Sequence, residues 1–196
     1  MHPAVTIRPA TFDDVAGIQR VARAAYHAAY GEYLDADALD AQLDEWYGTD
    51  GVENRVLRDA STLLVADHDA DGVVGYASGG PTPTDHDDDQ DDAASDGDDG
   101  ANGDSAGDDA NLETPATLYT CYVHPDHWGE RVGHRLLERV ADRLRDRGFE
   151  HLRIPVLADN DRARQFYVDH GYPKTDTGTV DFAGRTLDEV THAGPL

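Results

Sequence analysis

The chain has 196 residues and a formal net charge of −24, from 40 acidic against 16 basic side chains, with Lys174 as the single lysine. A surface of that sign repels nucleic acid and anionic lipid, so neither is an expected partner. One cysteine, Cys121, excludes an internal disulfide, and neither a secretory h-region nor a long apolar run is visible, so a single soluble domain in a reducing cytoplasm is expected.

Val5 to Arg8 reads as a short first strand. Thr11-Phe12-Asp13-Asp14 has the form of an N-cap with an acidic residue at N3. Val15, Ile18, Ala22, Ala25 and Ala29 then recur at helical spacing and predict a helix to about Tyr30, stopped by Gly31. A second helix near Asp37 to Tyr47 carries Leu39, Leu43 and Trp46 on one face, and Val52 to Ala60 continues it or forms a short third helix. Thr62 to Ala66 and Val73 to Ser78 are strands joined by a hairpin turn at Asp69-Ala70-Asp71-Gly72.

The composition then changes abruptly. Thr84 to Asn111 holds twelve Asp and no Lys or Arg, with no apolar residue larger than alanine, and supplies half of the net charge. Such a tract cannot bury enough surface to offset its ordering entropy and is expected to be disordered. Lengthening a loop from four to twenty-eight residues adds only about 1.7 kcal/mol of closure entropy, so the tract is read as an insertion between adjacent strands of one domain. An Asp-rich, Lys-poor surface fits adaptation to high salt, where screening shortens self-repulsion.

Leu118 to Val123 is rich in aromatic and β-branched residues and reads as a strand, ended by Pro125. Gly129 and Gly133 bracket a loop, and an apolar helical stripe follows at Leu136, Leu137, Val140, Ala141 and Leu144. Strand, glycine-bearing turn and helix together direct backbone N–H groups at an anion. His151 to Leu157 is a further strand. Asn160 is placed to cap a helix carrying Tyr167, which closes on Gly171-Tyr172. Lys174 to Phe182 and Arg185 to His192 form a final hairpin around Ala183-Gly184. The predicted order is strand, two helices, three strands, helix, strand, helix, two strands, a mixed α/β layer fold.

Two segments carry a family resemblance. Trp128-Gly129-Glu130-Arg131-Val132-Gly133 resembles the pyrophosphate loop of the GNAT-type N-acetyltransferases, written Gln/Arg-x-x-Gly-x-Gly/Ala. Asn160 to Tyr167, read as Asn-x-x-Ala-x-x-x-Tyr, resembles that superfamily's second cofactor element, and the order of elements matches over most of the chain. The resemblance implies a mostly antiparallel central sheet flanked by helices, with the strand before the loop splayed from the next one. It implies acetyl-CoA as co-substrate and an amine as acceptor, with no metal. Cys121, Tyr122 and Val123 would offer backbone groups to pantetheine. Gly129, Glu130, Arg131, Val132, Gly133 and His134 would hold the pyrophosphate. Asn160 would contact the pantetheine arm, and Tyr167 would lie beside the thioester sulfur. Arg135 would face the nucleotide end of coenzyme A if it left the solvated face of its helix.

The sequence departs from the pattern at Trp128, in place of Gln or Arg, and at Arg131, in place of the first glycine. A side chain at 131 restricts the backbone but adds a cation beside the phosphates. Tyr167 is the candidate donor to the leaving thiolate. No carboxylate lies on Leu118 to Val123 or on His151 to Leu157, where family members often carry one, and Pro155 occupies one such position. Glu32, His27 or a water chain are the remaining bases. Tyr26, Tyr30, Tyr33 and Trp46 would line an acceptor pocket or simply pack as core. His124, His127 and His134 do not form a conventional zinc set, and nothing marks Cys121 as a nucleophile. The reading is an N-acetyltransferase acting on a small-molecule amine or a protein N-terminus through a ternary complex. A non-catalytic acyl-CoA sensor stands as the alternative, and assembly is open between monomer and homodimer.

Overall fold

A computed structural model describes residues 4–58, 60–82 and 115–196 of the protein. The acidic tract of Thr84 to Asn111, expected to be a disordered insertion, lies outside the described residues. Among the described residues seven strands form one sheet in the order β1-β2-β3-β4-β5-β7-β6. They are β1 (Val5–Pro9), β2 (Thr62–His68), β3 (Gly72–Pro81), β4 (Ala116–Val123), β5 (His151–Leu157), β6 (Lys174–Phe182) and β7 (Arg185–Pro195). All neighbours are antiparallel except β4 and β5. Among the described residues five α-helices flank the sheet: α1 (Val15–Tyr30), α2 (Ala36–Trp46), α3 (Thr49–Leu57), α4 (Val132–Asp146) and α5 (Asp161–Asp169). The predicted class and order hold. The separate third helix exists, and α4 starts at Val132, a turn before the first leucine of its stripe.

The helices divide the apolar residues into two cores. Val15, Ile18, Val21, Ala22, Tyr26 and Tyr30 of α1 pack with Leu39, Leu43 and Val52 against Val65, Val73 and Tyr76. On the other face Val132, Leu136, Leu137, Val140 and Leu144 of α4 meet Leu64, Ala66, Val74, Ala77, Leu118 and Leu152. Each fully buried Leu or Val contributes roughly 1.5–3 kcal/mol relative to exposure. The strict alternation along β3 breaks once. Ala66 pairs with Gly75 but Asp67 pairs with Val73, leaving Val74 as an extra residue. This bulge turns both Val73 and Tyr76 to the α1 face and gives the Val74 carbonyl to the His124 N–H at 2.8 Å, which fixes the segment leading out of β4.

The start of α1 is held by charge. Arg8 on β1 grips Asp14 through two bonds of 2.7 and 2.8 Å and reaches Asp67 on β2 at 2.9 Å. Burial pushes the Asp14 carboxyl up, but the hydrogen bonds from Arg8 and from the Thr11 N–H outweigh it and hold the carboxyl below its usual range. The Thr11–Asp14 pair is the capping box that the sequence suggests. This anchor matters to the site because the far end of α1 forms one of its walls.

Candidate active site

Where β4 meets β5 the sheet opens. The two strands pair in parallel only at Ala116–Leu152 and Thr117–Arg153. Beyond that point β4 stays on β3 and β5 stays on β7. Two local features accompany the divergence. Ser78 pairs with Thr120 and Gly79 with Leu118, so Tyr119 is an extra residue that bends β4. Pro155 has no N–H, and a proline is tolerated inside a sheet only where a strand side is unpaired. It therefore fits β5 at the opening.

Two cavities meet at the gap. The larger, about 800 Å³, runs between the start of α4, the start of α5 and Ala25, Ala28 and Ala29 of α1. The smaller, about 210 Å³, lies beneath, among Tyr26, Tyr30, Trp46, Tyr122, Phe182, Pro155 and Glu189. Cys121, Tyr122, Asn160, Ala163 and Tyr167 line both.

The rim of the larger cleft is the loop between β4 and α4. His124 caps a 3-10 turn over Pro125–His127. Gly129 then takes φ 86°, and Arg131 takes φ 62° and ψ 17°, the left-handed region that a glycine enters freely. Arg131 thus has the backbone of the glycine it replaces, at a strain on the order of 1–2 kcal/mol. The first intrahelical bond of α4 runs from the Arg135 N–H to the Arg131 carbonyl at 3.1 Å. The N–H groups of Val132, Gly133 and His134 precede it and lie at the positive end of the helix dipole. Trp128 donates its indole N–H to the Val123 carbonyl at 2.8 Å, and the Arg162 guanidinium lies 3.7 Å over its ring. The departure at Trp128 therefore locks the loop to β4 and ties it to the first turn of α5.

Most of the sequence-predicted cofactor residues line this cleft: Cys121, Tyr122, Val123, Gly129, Arg131, Val132, Gly133, His134 and Asn160. Glu130 does not; it is exposed and bonds His127 Nδ1 at 2.9 Å. Arg135 turns away to the Val5 carbonyl at 2.7 Å. His134 Nδ1 lies 2.8 Å from His170 Nε2, whose own Nδ1 donates to the Phe166 carbonyl, so His134 donates into the pair. Asn160 caps α5 through the Ala163 N–H and donates its amide to the Tyr30 hydroxyl, both at 3.0 Å.

Tyr167 is buried where the cavities join, and among the described residues no protein acceptor takes its hydroxyl hydrogen. Burial, reinforced by nearby Cys121, pushes its hydroxyl well above the ordinary phenol range, so it remains a donor at neutral pH. Burial also pushes the Cys121 thiol up to about 12, which disfavours a thiolate nucleophile.

The bases named from sequence are not brought to the junction. Glu32 is exposed beyond α1 and lines neither cavity. His27 points its Nε2 at Asp40, 2.8 Å away, and lines neither. The smaller cavity instead holds one carboxylate among its lining residues, Glu189 on β7. Burial raises its carboxyl above the usual range, and Arg153 offsets part of the rise. Glu189 pairs with Leu157 on β5 because the final hairpin folds back so that β7, not β6, adjoins β5. Only that strand order brings it to the gap; the available sequence signal is the acidic pair Asp188-Glu189 directly preceding the apolar Val190.

The aromatic residues divide similarly. Tyr26, Tyr30 and Trp46 line the smaller cavity, whereas Tyr33 lines neither. His124, His127 and His134 do not assemble; among the described residues the one group with metal-ligating atoms mutually within 4.8 Å is His68, Asp71 and His127.

The chain belongs to the GNAT acetyltransferase family, whose family model, described as "Acetyltransferase (GNAT) family", matches residues 19–172. It is a transferase of the N-acetyltransferase type. Among solved structures it is similar to PaiA N-acetyltransferase from Thermoplasma acidophilum in complex with coenzyme A, at 16% identity and a TM-score of 0.74, covering 98% of this chain and 99% of that one. It is also similar to YncA, a putative acetyltransferase from Salmonella typhimurium with its cofactor acetyl-CoA, at 24% identity and a TM-score of 0.60, over 98% and 94% of the two chains. Ribosomal-protein-alanine N-acetyltransferase from Brucella melitensis aligns at 21% identity and a TM-score of 0.61, over 97% and 99%. At these identities the likeness concerns the fold. No curated protein matches the sequence. Among the described residues no helix is long and apolar enough to cross a membrane.

Proposed function

We propose that the protein transfers an acetyl group from acetyl-CoA directly to a primary amine, a small molecule or a protein N-terminus, within a ternary complex. The carrying observation is the junction of two cavities at Tyr167 in the gap between β4 and β5. Acetyl-CoA would occupy the larger cleft, whose volume is typical of a cofactor site. Its pyrophosphate would lie on the backbone N–H groups at the start of α4, helped by Arg131 and Arg162. Its pantetheine arm would run along the β4 edge that β5 leaves unpaired. Solved structures of the same fold that hold coenzyme A or acetyl-CoA support this placement.

The amine would enter the smaller, aromatic-walled cavity and reach the thioester from the Glu189 side. As its nitrogen bonds to the thioester carbon it becomes strongly acidic, and Glu189 accepts the proton. The carbon–sulfur bond then breaks, and the Tyr167 hydroxyl donates a hydrogen bond to the departing thiolate. A phenol has an ordinary pKa of about 10, and burial raises this one further, so full proton transfer to a thiolate whose acid has pKa about 8.5 is uphill; Tyr167 acts as a hydrogen-bond donor and solvent completes the protonation. The aromatic walls suit a small amine with an apolar body and attract its ammonium form.

Cofactor binding is the first test. Acetyl-CoA at a hundred times its Kd would stabilise the folded protein by about 2.7 kcal/mol, raising Tm by roughly 5–10 °C for a chain of this size. No shift in a differential scanning measurement at millimolar acetyl-CoA would rule the placement out.

A further inference from the structure

We propose that His68, Asp71 and His127 form a site for a divalent transition metal, suited to zinc, that clamps the β2–β3 hairpin to the turn before the phosphate loop. His68 ends β2, Asp71 lies in the hairpin turn, and His127 ends the 3-10 turn that follows β4. Their ligating atoms lie within 4.8 Å of one another. Asp71 Oδ2 stands 2.8 Å from His68 Nδ1 and 3.6 Å from His127 Nε2. Ligands at zinc bond lengths of about 2.0–2.1 Å in a tetrahedron are separated by roughly 3.3 Å, a value these two distances bracket.

Two features suit a cation at this cluster. His68 Nδ1 accepts the backbone N–H groups of Asp71 at 3.1 Å and of Ala70 at 3.4 Å, so it carries a lone pair that an ion would have to take over from them. The same nitrogen faces a carboxylate oxygen at 2.8 Å, a contact that a proton or a metal ion between the two atoms relieves. His127 supplies the second feature. Its Nδ1 lies 2.9 Å from Glu130 Oε2, which accepts the Nδ1 hydrogen and leaves an Nε2 lone pair on the nitrogen 3.6 Å from Asp71 Oδ2. A carboxylate behind a histidine ligand is the arrangement that fixes tautomer and raises ligand basicity in metal sites. It also gives Glu130 a role on the side away from the cleft. Two imidazoles and one carboxylate suit zinc and its neighbours in the first transition row over magnesium or calcium. Water would complete the coordination.

His127 and Trp128 both line the larger cleft, so an ion here would stiffen its rim. The inference does not rest on acetyl transfer. Titration of zinc ion into chelator-treated, untagged full-length protein, with excess magnesium present to occupy other carboxylates, is expected to show one saturable equivalent and a rise in Tm. Asp71→Asn and His127→Ala are each expected to weaken that binding at least tenfold, and Glu130→Ala by about ten- to hundredfold. Asp71 is half exposed in a turn, so Asp71→Asn keeps the fold even if His127→Ala does not. Absence of a saturable equivalent in the unmodified protein, or unchanged affinity in folded Asp71→Asn, would overturn the site.

Discussion

Glu189→Gln is expected to lower kcat by about a hundredfold or more while leaving acetyl-CoA affinity unchanged. A positioned general base contributes on the order of 10²–10⁴. The amide keeps the size of the side chain and removes its capacity to take a proton. Glu189 lines the smaller cavity and not the larger one, so the cofactor loses no contact. The pH profile supplies a second readout. A carboxylate must be ionised to act as a base, and burial raises the pKa at which that happens. Activity in the unmodified enzyme therefore rises with pH through that raised pKa. In Glu189→Gln that limb disappears, leaving the rise due to deprotonation of the amine itself. Steady-state kinetics across pH check both points. Unchanged kcat with an acceptor the unmodified enzyme uses would exclude Glu189 as the base.

Tyr167→Phe is expected to slow turnover roughly ten- to hundredfold. The ring stays, and the lost hydrogen bond to a charged thiolate is worth about 1.5–3 kcal/mol. That bond forms chiefly in the transition state, so the loss falls on kcat rather than on cofactor affinity. The hydroxyl at the cavity junction has no protein acceptor among the described residues, and phenylalanine fills the same buried volume, so the effect is separable from packing. A variant with normal kcat and reduced Tm would assign Tyr167 to the core alone.

The outcome of reading the sequence divides along physical lines. Elements whose determinants are local were legible: the α1 stripe from Val15 to Ala29, the Thr11–Asp14 capping box, the Ala183-Gly184 turn with both residues at positive φ, and the glycine-bearing entry to α4. The backbone consequence of Arg131 was legible too, because a side chain there restricts φ. Glu189 was not, since its approach to the gap depends on β7 pairing with β5 across more than thirty residues. The candidates on β4 and β5, and then Glu32 and His27, did not include it, and the missing strand carboxylate was what supported a non-catalytic sensor. The roles of Glu130 and Arg135 were likewise set by partners distant in sequence or outside the motif, His127 in one case and the Val5 carbonyl in the other. Trp128 read as a departure; its bond to Val123 and its stacking with Arg162 needed three-dimensional contact to appear.

The choice of acceptor follows from protonation as well as shape. A lysine-like amine of pKa about 10.4 is under ~0.1% neutral at pH 7, whereas an α-amine near 8 is roughly a tenth neutral. A single half-buried carboxylate in an aromatic pocket serves the less basic amine better. The most direct measurement is thiol release from acetyl-CoA at high salt across a panel of primary amines, including small aromatic amines, α-amino peptides and lysine. The expected result is thiol release that depends on both acetyl-CoA and amine, with less basic amines of apolar body preferred and activity strongly reduced in Glu189→Gln. Tight binding of acetyl-CoA with no acetylation of any amine on the panel would contradict it.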